Sequence, residues 1–100
     1  MRLTTQMIKV IVDKAKSIVG DDVAIWVFGS RVNDELRGGD IDLLIEVNRK
    51  LENRVASACQ IGAKIQMVLG EQRLDILVKD IDTANLPIHD VAKKQGIRLC

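Results

Sequence analysis

The sequence predicts an α/β domain in which helices pack on a small mixed β-sheet of three to four strands. Two observations support this fold class: apolar residues recur at helical spacing in two long stretches, and short aliphatic runs of strand length lie between them. Glycines separate the two kinds of pattern. Because 100 residues is the size of one ordinary domain, we expect a single domain over residues 1–100.

The first helix is predicted from apolar residues that recur every three or four positions. It begins after Thr4 or Thr5, either of which can cap it, and ends at Gly20. The continuous apolar run over residues 23–28 then predicts a strand that is buried on both faces. This interpretation requires helices on both sides of the sheet.

The remainder of the chain predicts two more helices and three more strands. The strands lie near residues 40–47, 73–78 and 97–99, where apolar residues alternate. A helix over residues 51–69 ends at Gly70, and a short helix begins near Pro87 and ends at Gly96.

Several single residues have ordinary structural interpretations. Cys59 is predicted to be a small core residue, since it lies within the apolar pattern of the middle helix. His89 is expected at a solvated surface position, and Lys93 and Lys94 are expected to complement the dipole of the last helix. Four basic residues near the middle helix form a solvated face rather than a nucleic-acid surface. They are Arg49, Lys50, Arg54 and Lys64.

The composition excludes several classes of protein. The chain is 47% hydrophobic and 29% charged with a net charge of +1, which favours neither nucleic acids nor anionic membranes as partners. Its longest apolar run, residues 23–28, is too short to span a membrane, and the start lacks a signal segment. Trp26 and Phe28 are its only aromatic residues, which disfavours a base-stacking surface. We therefore expect a cytoplasmic protein.

Three aspartates lie at strand positions in an otherwise aliphatic sheet. Asp40 and Asp42 share one face, which places their α-carbons roughly 6–7 Å apart. Asp75 joins them if its strand is the neighbour of theirs. Hard carboxylate oxygens in this arrangement suit magnesium, which binds a few carboxylates together with substrate phosphates. An isolated Asp-x-Asp is also typical of a solvated strand end, so the interpretation depends on the neighbouring residues.

The residues after the first strand supply that context. Gly29 allows the backbone to approach a phosphate, and Ser30 offers an amide and a hydroxyl donor. A Gly-Ser pair alone is compatible with a plain turn. Together with the aspartates it predicts one site, in which a phosphate cradle ends one strand and metal-binding carboxylates begin the next.

Residues 28–44, FGSRVNDELRGGDIDLL, resemble the signature of the DNA polymerase beta-like nucleotidyltransferase superfamily. In that family a Gly-Ser pair is followed about ten residues later by Asp-x-Asp, and a third carboxylate lies on a later strand, as Asp75 does. The opening helix, the long middle helix and the closing Pro-helix-Gly-Ile-x-Leu pattern are also similar to the minimal, antitoxin-type members.

The resemblance implies a magnesium-dependent transfer of a nucleotidyl group. Asp40, Asp42 and Asp75 are the implied ligands of two magnesium ions and the implied catalytic residues. Gly29 and Ser30 are implied to bind the triphosphate, with ATP as the donor. The segment between Ser30 and Asp40 lacks the Arg-Gly-x-Ala-Arg run common in relatives, so either Arg31 or Arg37 is the phosphate contact. These two complete the nucleotide-binding set.

The acceptor is implied by the minimal size of the chain. Minimal relatives commonly adenylylate a partner toxin of the HEPN ribonuclease type, which makes a protein hydroxyl the expected acceptor. An alternative is a non-catalytic antitoxin that neutralises a partner by complex formation. Transfer to a small molecule usually needs a further helical domain and is ranked last. The sequence also leaves a homodimer open.

Overall fold

The computed structural model describes residues 3–29, 41–70 and 73–100. These residues form a four-stranded sheet with three helices, which confirms the predicted α/β class. The helices are α1 (Thr5–Val19), α2 (Arg54–Leu69) and α3 (Pro87–Gln95), and the strands are β1 (Ala24–Phe28), β2 (Ile41–Glu46), β3 (Leu74–Lys79) and β4 (Ile97–Arg98). No helix in the described ranges is long and apolar enough to cross a membrane.

The sheet is mixed and has the strand order β3-β2-β1-β4. β1 is antiparallel to both β2 and β4, whereas β2 and β3 are parallel. Parallel neighbours need a long connection, and α2 supplies it between β2 and β3. β3 and β4 are therefore the two edge strands of the sheet.

The main hydrophobic core lies between one face of the sheet and the helices α1 and α2. In β2, Ile41, Leu43 and Ile45 are fully buried on this face, as their alternation predicts. The helices contribute their own inward stripes to the same cluster. These helical residues are Ile11, Ala15 and Val19 of α1 and Ile61 and Ile65 of α2.

The opposite face of the sheet is only partly covered, by the nine residues of α3. Leu44 of β2 and Ala92 of α3 are fully buried there, outside the main core cluster. The prediction that β1 is buried on both faces is therefore wrong. Its burial alternates: Ile25 and Val27 are buried, and the residues between and beside them are partly exposed, because α3 is too short to cover the whole strand.

The helix ends confirm the predicted caps, with one change. The Thr4 side chain accepts a hydrogen bond from the N–H of Met7 at the start of α1, and Gly20 follows its end. The middle helix is shorter than predicted. The side chain of Asn53 caps it by accepting a hydrogen bond from the N–H of Ala56, so α2 begins only at Arg54. Leu51 thus belongs to the preceding connection.

Cys59 is exposed, which overturns its prediction as a core residue. The inward stripe of α2 is centred on Ile61 and Ile65, and Cys59 lies to one side of it. On that side the sheet ends at β3, so no further strand of the described chain covers the outer flank of the helix.

Candidate active site

Asp42 and Asp75 lie side by side in the centre of the candidate site. The parallel register of β2 and β3 makes these two residues direct Cα partners. Neighbouring strands are about 4.8 Å apart, and partners in register point their side chains to the same face. β2 and β3 are therefore neighbouring strands, which is the condition under which Asp75 joins the predicted carboxylates.

This carboxylate pair occupies the part of the sheet face next to the buried patch under α3. Two residues further along β2, Leu44 is fully buried, whereas Asp42 is half-buried and Asp75 is exposed. In β1 the partner of Asp42 is Phe28, which extends the same row across a third strand. Among the described residues, the row thus crosses three strands of the sheet and is partly exposed.

Gly29 brings the end of β1 against this row. Its φ of +76° lies in the left-handed region that favours glycine. A Cβ built at Gly29 would overlap Oδ2 of Asp42 and lie 3.2 Å from its Cγ. The backbone after β1 therefore passes closer to the Asp42 carboxylate than any other residue type would allow. Such a close approach is what the predicted phosphate cradle requires.

The other predicted site residues lie outside the described residues. These are Asp40, Ser30, Arg31 and Arg37, and their assignments remain predictions. Within the described ranges, no group of three His, Cys, Asp or Glu residues is placed to hold a metal ion. Asp42 and Asp75 account for two of the three predicted ligands, and Asp40 is the third.

The donor atoms of Asp42 and Asp75 suit magnesium. Both side chains offer hard carboxylate oxygens, and the register places them on adjacent strands of one rigid sheet. Magnesium usually takes only a few protein carboxylates and completes its coordination with water and phosphate oxygens. Because Asp75 is exposed and Asp42 is only half-buried, both carboxylates are accessible to such additional ligands among the described residues.

A polar cluster fixes α3 to the sheet towards the end of β2 that lies away from Asp42. The Nζ of Lys93 donates to Oε2 of Glu46 over 2.7 Å and lies 5.4 Å from the centre of the Trp26 ring. The guanidinium of Arg98 lies at the same distance from that ring. Lys93 thus does more than complement the helix dipole, because it joins α3 to β1 and β2.

His89 is buried, with 4% of its surface exposed, so its prediction as a solvated residue is wrong. Its Nδ1 accepts the backbone N–H of Leu86 over 3.0 Å and thereby caps the first turn of α3. Burial lowers the pKa of His89, and the ammonium groups of Lys79 and Lys93 lower it further, against smaller opposite effects of Glu46 and Asp90. The neutral imidazole is therefore part of the fold.

Asp80 is a structural residue that the sequence analysis missed. Only 6% of it is exposed, and its carboxylate accepts from the N–H of Leu51, the N–H of Asp82 and the hydroxyl of Thr83. The hydroxyl of Thr83 and the N–H of Leu51 are the main causes that lower the pKa of this carboxyl. The local signal was the Asp-x-Asp-Thr sequence after a strand, which is typical of a side-chain-stabilised turn.

Comparison with known proteins agrees with this geometry. A family model described as a nucleotidyltransferase domain matches residues 8–97, which is nearly the whole chain. No curated protein has a sequence that matches it. The match includes Gly29, both described carboxylates and the predicted residues between Gly29 and Asp42.

Proposed function

The chain belongs to the nucleotidyltransferase domain family, and on that premise we propose that it transfers AMP from ATP to a hydroxyl group of a partner protein. Membership of the family assigns nucleotidyl transfer in general. The choice of ATP, of magnesium and of a protein acceptor is our proposal.

The observation that carries the proposal is the row formed by Gly29, Asp42 and Asp75. It combines two carboxylates in register on adjacent strands with a backbone segment that approaches one of them closely. This combination is what nucleotidyl transfer needs, since the reaction depends on positioning a triphosphate and neutralising its charge.

In the proposed site, Asp40, Asp42 and Asp75 hold the magnesium ions, and Gly29 and Ser30 bind the triphosphate with Arg31 or Arg37. Bound magnesium would neutralise the charge on the phosphoryl oxygens. The acceptor oxygen forms a bond to the α-phosphorus while the bond from that phosphorus to the β-phosphate bridging oxygen breaks, and pyrophosphate leaves. Asp75, the exposed member of the row, receives the proton of the acceptor hydroxyl.

A protein acceptor is supported by the position of the carboxylate row. Among the described residues, Asp75 is exposed and lies on an edge strand of the sheet, where a second protein can reach it. Among protein acceptors, a HEPN-type toxin is our specific candidate, by the resemblance of the chain to minimal antitoxin-type members. The second candidate is neutralisation of the same partner by binding without transfer.

Mass spectrometry of a reconstituted mixture tests the proposal. The purified chain is incubated with ATP, magnesium and the protein encoded by the neighbouring gene, and both proteins are weighed. We expect one AMP mass on the partner, and none with Asp42→Asn, which removes a carboxylate at constant size. Asp13→Asn, an exposed carboxylate on α1, is the matched control and should act as the wild type. A tight complex with unchanged masses would favour the binding function instead.

A further inference from the structure

The outer edge of β3 is open within the described part of the chain. β3 is the last strand of the sheet, and β2 pairs with its inner side only. The N–H of Ile41 donates to the carbonyl of Arg73, and the N–H of Val47 donates to that of Lys79. Since strand residues alternate in direction, the odd-numbered residues between them also face β2.

It follows that the backbone N–H and C=O groups of Leu74, Ile76 and Val78 point away from the sheet. Such a row of outward donors and acceptors is the template on which a further strand pairs. Two of these residues, Leu74 and Ile76, directly flank Asp75. An added strand would therefore run past the exposed carboxylate of the candidate active site.

A groove follows this edge along most of β3. At the Asp75 end it is bounded by small residues of α2, namely Ala58, Cys59 and Gly62. It continues past Ile76 to the other end of the strand, where Val55, Leu86 and Ile88 line it. We call this surface the β3 edge groove. The two parts share Ala58, Cys59 and Ile76, so they lie next to each other along β3.

The walls of the β3 edge groove include three exposed large apolar side chains. Val55 is 63% exposed, Leu86 52% and Ile88 43%, and all three border the same part of the groove. Exposed apolar side chains grouped beside open backbone groups are typical of an interaction site. The small residues of α2 leave space for side chains of the occupant.

We infer that the acceptor protein docks an extended segment in the β3 edge groove, paired with β3 as an added strand, and so presents its hydroxyl to Asp75. This inference rests on the proposed transfer to a protein. The occupant is a strand because the edge offers alternating backbone donors and acceptors, and it is the acceptor because Asp75 lies on that same strand.

The geometry also sets the local sequence of the acceptor. The residue paired with Asp75 points to the same face as the carboxylate, so it carries the hydroxyl. Its two neighbours point to the opposite face, towards Ala58, Cys59 and Gly62 of α2. We therefore expect a Ser, Thr or Tyr between two apolar residues, in a segment without proline at those positions.

The inference is tested by filling the groove. Cys59→Lys places a long charged side chain in the groove without touching the carboxylate row. Met67→Lys is the matched control, since Met67 is an exposed apolar residue of the same helix, at 85%, and does not line the groove. With the protein encoded by the neighbouring gene as acceptor, Cys59→Lys should raise KM about tenfold or more and leave ATP binding unchanged. Equal KM values for the two variants would overturn the inference.

Amide hydrogen exchange gives a second measurement that does not depend on transfer. In the free chain the outward N–H groups of Leu74 and Ile76 should exchange faster than those of Asp75 and Leu77, which bond to β2. Addition of the partner without ATP should protect Leu74 and Ile76. Protection in the free chain that grows with its concentration would instead show that a second copy occupies the edge, and would overturn the inference.

The two proposals fail in different ways. Transfer to the partner with Leu74 and Ile76 still unprotected in the complex would keep the proposed function and overturn the docking surface. Protection of these amides in a complex that never transfers AMP would overturn the proposed transfer, and the strand-addition surface would stand as a binding site.

Discussion

Gly29 and Asp42 are in such close contact that a single methyl group at position 29 would overlap the carboxylate. The glycine directly follows β1, and the aspartate begins the row of acids on the next strand. The pairing of β1 with β2 thus brings the backbone after β1 against the acid. Substitution at Gly29 therefore tests the site directly.

Gly29→Ala should abolish AMP transfer and lower the free energy of unfolding by about 1–3 kcal/mol, the effect of forcing a side chain into left-handed backbone. Gly70→Ala separates the two causes, because Gly70 has a similar φ of +80° but no atom within 4 Å of an added Cβ. Urea unfolding and transfer assays on both variants measure the difference. If Gly70→Ala lost transfer as fully as Gly29→Ala, crowding of Asp42 would not be the cause.

Asp75→Asn should remove the stabilisation that magnesium gives to the wild type. A ligand at ten times its dissociation constant stabilises the folded state by about 1.4 kcal/mol, which raises the melting temperature by several degrees for a domain of this size. The variant should show a much smaller rise. Differential scanning calorimetry with and without magnesium measures it, and Asp13→Asn, with the same charge change on exposed α1, should keep the wild-type rise.

His89 should make the fold less stable as the pH falls below about 6.5, the ordinary histidine value. Its pKa is lowered in the folded state, so the unfolded chain takes up the proton first. The contribution of His89 to the free energy of unfolding is fully present above the ordinary histidine pKa. Below that pKa it declines by at most about 1.4 kcal/mol per pH unit, until the folded-state pKa is reached. Urea unfolding between about pH 7 and pH 5, a range that includes the ordinary histidine pKa, measures how the free energy of unfolding changes with pH.

His89→Asn supplies the comparison for this slope. Its side-chain oxygen retains an acceptor for the N–H of Leu86 and does not titrate. The variant should therefore unfold with little pH dependence in the same window. A slope equal to that of the wild type would show that another group titrates there.

Asp80 should produce a separate loss of stability in acid. Because its pKa is lowered by the Thr83 hydroxyl and the Leu51 N–H, its contribution is present above about pH 3.9 and is lost as the pH falls through the folded-state value. Thr83→Val removes the largest cause, so the carboxyl should titrate at higher pH. Carbon-detected NMR titration of Asp80 in the two proteins measures the change, and coincident curves would contradict the assignment.

Much of this architecture follows from short-range pattern in the sequence. The alternation in β2 correctly separates Ile41, Leu43 and Ile45 from Asp42, because strand side chains have a period of two. Thr4, Gly20 and Gly96 mark helix ends through their own backbone chemistry. The family resemblance is confirmed, whereas the role of every predicted site residue stays a prediction.

The errors arise where tertiary contacts decide the outcome. The apolar pattern of α2 is wide enough to include Cys59, and only the position of the sheet edge shows which part of it is covered. His89 resembles any polar residue on an amphipathic helix until the packing of α3 against the sheet buries it. Asp80 is buried through a contact with Leu51, 29 residues earlier in the chain, and no local pattern reports such a pairing.

The alternation of β2 also determines how the site fails on heating. A slip of one residue between β2 and β3 would turn over the side chains of one of the two strands, placing either Asp42 or Asp75 in the hydrophobic core and its apolar neighbours on the opposite face, so intermediate registers are strongly disfavoured. The distance between Asp42 and Asp75 therefore cannot change gradually while β2 and β3 stay paired. Enzyme inactivation should coincide with cooperative melting of the whole chain, rather than precede it.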